Sequence, residues 1–236
     1  MALTPVVDPS GQGADTYRWP DKPSQTAFPV ARPGYPFIAA AAFVTFVFAL
    51  LELAWLALPA MAAAFAICMF FRDPDRVVTT EEKAVVCPAD GRVIVCETVE
   101  QTGHYEGRCR KISIFMSVLN VHVNRIPFSG TVRRVSYRPG GFVRADKDRA
   151  SGSNEQNAVF LETADGQRIS FVQVAGTVAR RIICGLQAND KVVKGQRFGM
   201  ICFGSRVDLY LPESAAIAVA VGDRVTAGTT IMGYLQ

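Results

Sequence analysis

Ala158-Val159-Phe160-Leu161-Glu162, Thr163-Ala164-Asp165-Gly166-Gln167 and the run from there through Arg168-Ile169-Ser170-Phe171-Val172-Gln173-Val174 decide how this chain folds. The flanks are rich in Val, Ile and Phe, which fit a pleated, half-buried surface. Asp-Gly between them supplies a tight reversal, so the stretch reads as two strands joined by a hairpin turn. The same texture extends in both directions. Short apolar runs at 85–86, 92–98, 110–116, 130–137, 180–183, 197–202, 206–211 and 229–235 alternate with Gly, Asp, Asn and Pro. Turns spaced by roughly ten residues belong to a barrel or sandwich. The expected class is mainly β from residue 72 to residue 236.

Ahead of that domain the texture differs. Residues 1–36 hold seven of the thirteen prolines, with Gly, Ser, Asp and Gln between them. Such a lead buries too little apolar surface to offset ordering entropy and reads as disordered or extended. Residues 37–71 are almost continuously apolar, broken by Thr45, Glu52 and Pro59. About 20 apolar residues span a bilayer. This segment is therefore expected to be helical and membrane-associated, either as a full span plus a short helix or as a hairpin bent at Pro59. The hairpin keeps the lead and the β domain on one side, taken as the cytoplasmic face. A buried helix pair of a soluble protein is the plainer alternative.

Composition narrows the function. A net charge of +4 is too small to argue for nucleic acid and suits an anionic lipid surface equally well. Six cysteines without a C-x-x-C pair read as reduced thiols, and two histidines, His104 and His122, cannot build a three-histidine metal site. No metal is expected. His104 lies in the polar loop 102–107 and reads as a surface residue. Basic residues gather at Arg133, Arg134, Arg138, Arg144, Lys147 and Arg149, with Arg180-Arg181 beyond. They form either a solvated face or a contact for anionic head groups, with Phe128 and Phe142 near lipid.

Four stretches carry a more specific signal: Phe71-Arg72-Asp73-Pro74, Cys87-Pro88-Ala89-Asp90-Gly91, Val121-His122-Val123-Asn124-Arg125-Ile126-Pro127 and Phe203-Gly204-Ser205-Arg206-Val207-Asp208. In order and spacing they resemble the phosphatidylserine decarboxylase family, from about residue 71 to the end, and the compact apolar N-terminus resembles its shorter members. The resemblance implies that the Gly204–Ser205 bond breaks itself. The serine hydroxyl attacks the preceding carbonyl, the resulting ester eliminates, and hydrolysis leaves a pyruvoyl at position 205 with release of ammonia. Glycine before the serine tolerates a strained backbone. The products are a large and a small chain that stay paired. The pyruvoyl is then the covalent cofactor, in place of PLP. It forms a Schiff base with the amine of phosphatidylserine and accepts the electrons freed with CO2, giving phosphatidylethanolamine.

His122 is the candidate base and proton donor, since its ordinary pKa lies near neutrality. By resemblance Asp90 orients it, in an Asp90-His122-Ser205 relay; by composition Asp90 is equally a turn residue. Many family members carry H-x-x-H-x-P, whereas here Arg125 stands at the second histidine position. Either His122 serves both self-cleavage and decarboxylation, or a backbone group or water covers one step. Arg125 offers a planar fork for a phosphate or carboxylate of the substrate, or else makes a salt bridge. Asn154, in Asn154-Glu155-Gln156-Asn157, is a tentative site residue on a partial match.

Two readings compete with the lipid decarboxylase: a pyruvoyl enzyme for another amino head group, and a non-catalytic, membrane-anchored β-sandwich. The second draws on Asp190-Lys191-Val192-Val193-Lys194-Gly195 and Asp223-Arg224-Val225-Thr226-Ala227-Gly228, which share D-x-V-x-x-G. That echo resembles turns of lipoyl- and biotinyl-domain sandwiches, but no lysine sits at a hairpin tip to carry a swinging arm. Assembly into a homo-oligomer is compatible with each reading.

Overall fold

The computed structural model describes residues 30–141, 153–176, 181–202 and 205–236. Phe142, Arg144, Lys147, Arg149, Arg180, Phe203 and Gly204 lie outside them, as does nearly all of the proline-rich lead. Among the described residues a short 3-10 turn (Arg32–Gly34) and a helical hairpin precede fourteen strands, β1 to β14. The domain is mainly β, as the hairpin texture implies.

The hairpin around Asp165-Gly166 forms as read. β6 (Gln156–Glu162) and β7 (Arg168–Ala175) pair antiparallel with Glu162 opposite Arg168. Gly166 takes φ +75°, and its N–H donates to the Thr163 carbonyl at 3.0 Å. These strands belong to an eight-stranded sheet of order β13-β2-β3-β11-β7-β6-β5-β9. Its members are β2 (Gly91–Val99), β3 (Cys109–Met116), β5 (Gly130–Arg138), β9 (Lys191–Val192), β11 (Ser205–Pro212) and β13 (Arg224–Val225), besides β6 and β7. Two three-stranded sheets complete the domain: β1 (Ala84–Val86) with β14 (Ile231–Tyr234) and β12 (Ala216–Ile217), and β4 (Val123–Arg125) with β10 (Arg197–Ile201) and β8 (Ile182–Cys184). The main core lies among the three sheets, with Val93, Ile112, Ile114, Phe171, Phe198 and Leu209 all buried within it.

The D-x-V-x-x-G echo has a structural meaning. Its two copies supply β9 and β13, which close opposite edges of the large sheet. Each acid accepts an N–H from three residues upstream, Asp190 from Gln187 at 2.7 Å and Asp223 from Ala220 at 2.8 Å. Each valine is buried and each final glycine is left-handed, Gly195 at φ +81° and Gly228 at φ +73°. Two short strands at the edges leave little free ladder for unwanted pairing.

The apolar segment folds as a hairpin of α1 (Tyr35–Leu50) and α2 (Ala54–Phe70), each about 25 Å long. Its corner is not at Pro59 but at residues 51–53, where Glu52 adopts φ +58°. A charged residue there can stay at the polar end of the hairpin, which explains why the turn falls at Glu52. Pro59 sits in the second turn of α2, where its missing N–H costs one bond near the helix start. No residue of α1 is buried, and Phe43, Phe46, Leu50, Trp55, Met61 and Phe65 are exposed. The helical run Arg32–Leu50 is long and apolar enough to cross a membrane.

Candidate active site

β10 and β11 are consecutive in sequence but belong to different sheets, so the chain crosses between Ile201 and Ser205. Ser205 opens β11 between Met116 of β3 and Ala175 of β7. It is fully buried, and its hydroxyl donates to the Met116 thioether sulfur at 3.3 Å. Sulfur is a weak acceptor, so this bond holds the hydroxyl only loosely. The same sulfur faces the Asn124 amide at 3.7 Å. From Asn124 the polar chain continues: Gln173 donates to its Oδ1 at 2.9 Å, and Asn157 donates to Gln173 Oε1 at 3.2 Å. Buried polar groups are costly unless bonded, and these satisfy one another inside an otherwise apolar core.

Asn154 braces the rung beside the serine. Its amide donates to the Ala175 carbonyl at 2.6 Å, and Ala175 lies directly across from Ser205. Asn154 thus sits one rung from Ser205, held through the backbone of Ala175.

His122 precedes β4 and reaches the crossover through its backbone: Ile201 N–H donates to the His122 carbonyl at 3.3 Å. The imidazole is wholly buried. Nδ1 lies 2.9 Å from the Asn120 carbonyl, which can only accept, so the neutral ring carries its proton on Nδ1. Nε2 is buried and has no hydrogen-bond partner among the described residues. The Phe70 ring, at the base of α2, lies 4.3 Å from the imidazole. Burial lowers the pKa to about 4; the Asn120 carbonyl opposes this and the Arg72 charge adds to it. The result is a neutral base with a bare, desolvated lone pair.

Asp90 occupies the turn between β1 and β2, and its oxygens have other partners than His122. Oδ1 accepts the Ala227 N–H at 2.7 Å and Oδ2 pairs with Arg76 at 2.8 Å. Burial raises its pKa; the Ala227 bond and the charges of Arg76, Arg72 and Arg125 pull it back. Among the described residues no hydrogen bond joins Asp90, His122 and Ser205, so the expected relay is not assembled as a bonded triad in this conformation. Arg72 acts electrostatically on both Asp90 and His122, which places the two around one cation.

Arg125 is buried rather than presented to a ligand. Its fork donates to the Gly195 carbonyl at 2.9 Å and the Pro74 carbonyl at 3.0 Å, with Asp73 at 3.7 Å. Burial lowers its pKa to about 10, with the nearby Arg197 contributing and Asp73 opposing. Asp73 also takes the Arg197 Nε at 2.8 Å. The Phe71-Arg72-Asp73-Pro74 stretch thus works as a latch, with one buried carboxylate between two buried guanidiniums. The neighbouring Arg72 donates to the Met69 and Leu119 carbonyls, both at 2.6 Å, tying the end of α2 to the loop that carries His122.

The sequence reading gave no role to Phe70, Met116, Asn124, Gln173 or Asp73. Asn124 and Asp73 lay within the quoted stretches 121–127 and 71–74, and Gln173 stood as an amide inside an apolar strand, where a buried amide needs a partner.

Comparison with known proteins agrees with this architecture. The family model described as phosphatidylserine decarboxylase matches residues 63–233. A phosphatidylserine decarboxylase proenzyme of Desulfotalea psychrophila is 48% identical over 211 residues, 89% of this chain and 99% of the relative. Proteins of the same name from Syntrophus aciditrophicus and Burkholderia mallei are each 45% identical, over 86% and 87% of this chain and 96% and 95% of their own. Buried serine, neutral histidine and latch stretch lie within a match that spans most of the chain, and the chain belongs to the phosphatidylserine decarboxylase family.

Proposed function

We propose that this protein is a membrane-associated phosphatidylserine decarboxylase, made as a proenzyme that cleaves itself between Gly204 and Ser205. The observation that carries the reading is a buried Ser205 at the sheet crossover together with a neutral His122, under the base of an apolar hairpin, whose Nε2 has no partner among the described residues. Ser205 is loosely held by sulfur and sits beside a glycine, as attack on the preceding carbonyl requires. His122 Nε2, with its lone pair bare and desolvated, accepts the hydroxyl proton. The amides of Asn124 and Gln173 keep the interior near Met116 polar while excluding bulk water.

A pyruvoyl at position 205 supplies a ketone for the substrate amine and an adjacent carbonyl that accepts the electron pair freed with CO2. The residues around Ser205 fit that group: they offer buried amides and one basic nitrogen, and no larger cofactor is needed. His122 is again the group placed to hold and return a proton. Phosphatidylserine reaches the site from the membrane, because α1 and α2 expose apolar side chains along their length and end on Phe70, against His122. The hairpin keeps its two ends on one side, and Arg72 and Arg76 at its base favour the cytoplasmic face. The two cleavage products stay together, since β11 of the small chain is hydrogen-bonded between β3 and β7 of the large one.

The test is an intact-mass spectrum of the purified protein with an assay of CO2 release from phosphatidylserine vesicles. Two chains divided at 204/205, the smaller lighter by one ammonia than a plain hydrolysis product, are expected. A single chain that stays uncleaved in lipid would refute the reading and leave an anchored binding domain.

A further inference from the structure

Along β11, Val207, Leu209 and Leu211 face the core while Arg206, Asp208 and Tyr210 face the other side of the large sheet. On that outer face a cavity of about 440 Å3 is lined by Lys111, Arg134, Arg138, His104, Phe160 and Tyr210 among others, and among the described residues no carboxylate lines it. Its cations are held in place from below. A β-bulge between Val132 and Arg134 turns Arg134 to face Phe160, where its guanidinium lies 4.0 Å over the ring. Stacking uses the face of the fork and leaves its N–H edge available. Lys111 has one acid near, Glu97 at 3.9 Å. Gln156, with its amide oriented to satisfy both groups, accepts from Arg138 Nη2 and Nε at 2.5 and 2.8 Å.

His104 reports the field. It is half-buried rather than the surface residue its loop implied, with its ring 5.8 Å from Tyr210. Burial lowers its pKa, and Arg138, Lys111 and Arg134 all push the same way, against Asp208. Three cations thus converge on one polar-lipped, aromatic-floored cavity. The Tyr210 rung is five residues along β11 from Ser205, roughly 17 Å away at strand rise. The hairpin base packs against Val121, Val123 and Met200, at the His122 end of the domain.

We infer that this cavity binds a soluble phosphate-bearing small molecule, with Lys111 and Arg134 taking the phosphate, Arg138 adding charge from its place against Gln156, and Phe160 and Tyr210 flooring the rest. Charge-assisted bonds to a bidentate fork select phosphate or carboxylate, and the aromatic floor favours a ligand with a planar or apolar portion. The distance from the hairpin base points to a ligand from solution rather than to a lipid head group.

With two histidines in the chain, the test is direct. The full chain, labelled with 13C at histidine and held in detergent micelles, is titrated with inorganic phosphate and then with glycerol 3-phosphate. His104 is expected to shift saturably and to titrate at higher pH when phosphate is bound, while His122 stays unmoved. Arg134→Gln and, separately, Lys111→Gln are expected to weaken phosphate binding at least about tenfold. A response of His104 that never saturates, or an affinity unchanged in both variants, overturns the assignment. A shift produced by anionic vesicles but not by soluble phosphate assigns the face to lipid and overturns it too. The readout needs neither cleavage nor CO2 release, so it stands or falls apart from the decarboxylase reading.

Discussion

Replacing Phe70 by alanine tests why His122 stays neutral. Burial lowers the imidazole pKa to about 4 from an ordinary 6.5. At about 1.36 kcal/mol per pH unit this is roughly 3 kcal/mol against the charged ring. Burial is the largest cause, and Phe70 forms one wall of it at 4.3 Å. Removing the ring admits water on that side while the Asn120 bond and the Arg72 charge remain. The pKa is expected to climb by about one unit. Because the folded pKa lies below the unfolded one, the unfolded chain takes up the proton first as pH falls. The stabilising contribution is complete above pH 6.5, is lost between 6.5 and about 4, and is constant below. In Phe70→Ala the loss ends about one unit earlier. The assay is an NMR titration of His122 in the full chain, with Phe70→Leu as a control that keeps a large apolar wall. Truncating a buried phenylalanine costs about 3 kcal/mol or more in packing, so each variant is compared with itself across pH. A wild-type His122 that titrates near 6.5, or an alanine variant indistinguishable from wild type, refutes the account.

Four further outcomes follow from the same contacts. Ser205→Ala is expected to leave one uncleaved chain on a denaturing gel, where wild type divides into two; two chains from the variant would refute Ser205 as the attacking residue. Asp73→Asn removes the carboxylate shared by two buried guanidiniums, leaving Arg125 its two carbonyls and Arg197 its contact with Asp75, and is expected to destabilise by roughly 3 kcal/mol in chemical denaturation. Asp75→Asn, at the exposed partner of Arg197, should change stability by no more than about 0.5 kcal/mol. Charges placed on both helices by Phe46→Asp with Phe65→Asp each cost about 3 kcal/mol in a bilayer core. They are expected to move the protein from the membrane pellet to the supernatant; retention in the pellet would count against hairpin insertion.

What the sequence made legible was local. The strand alternation on either side of Asp165-Gly166 is a period and a turn, both written within 17 residues, and β6 and β7 form there. β4 was not legible as a strand, because three residues, Val123 to Arg125, hold their shape only by pairing with β10, some seventy residues on. A hairpin was one of two layouts open for the apolar segment, and its corner falls at Glu52 rather than Pro59, since a charge in mid-helix costs much in apolar surroundings. Ser205 and His122 stood out by resemblance to a family. Arg125 was read as a fork for substrate or a surface pair because burial is a property of the tertiary structure. Its partner Asp73 shares that carboxylate with Arg197, 124 residues away in sequence. No pattern within a window of sequence shows such a contact.

Five of the seven residues from Phe70 to Arg76 join the hairpin to the centre. Phe70 covers His122, Arg72 holds the Leu119 carbonyl, Asp73 neutralises Arg197 and Arg125, the Pro74 carbonyl receives Arg125, and Arg76 pairs with Asp90. The chain before the hairpin adds to the same junction, as Ala31 N–H donates to the Phe71 carbonyl at 2.8 Å. A flexible tether would anchor the domain to lipid just as firmly. This connection instead makes the position of the hairpin base and the solvation of His122 a single variable. Tilting α2 by its own width would uncover Nε2 and draw Asp73 from between Arg125 and Arg197, breaking a buried charge contact at a cost of several kcal/mol. The latch therefore couples the position of the hairpin base to the burial of His122 and resists large motions of α2.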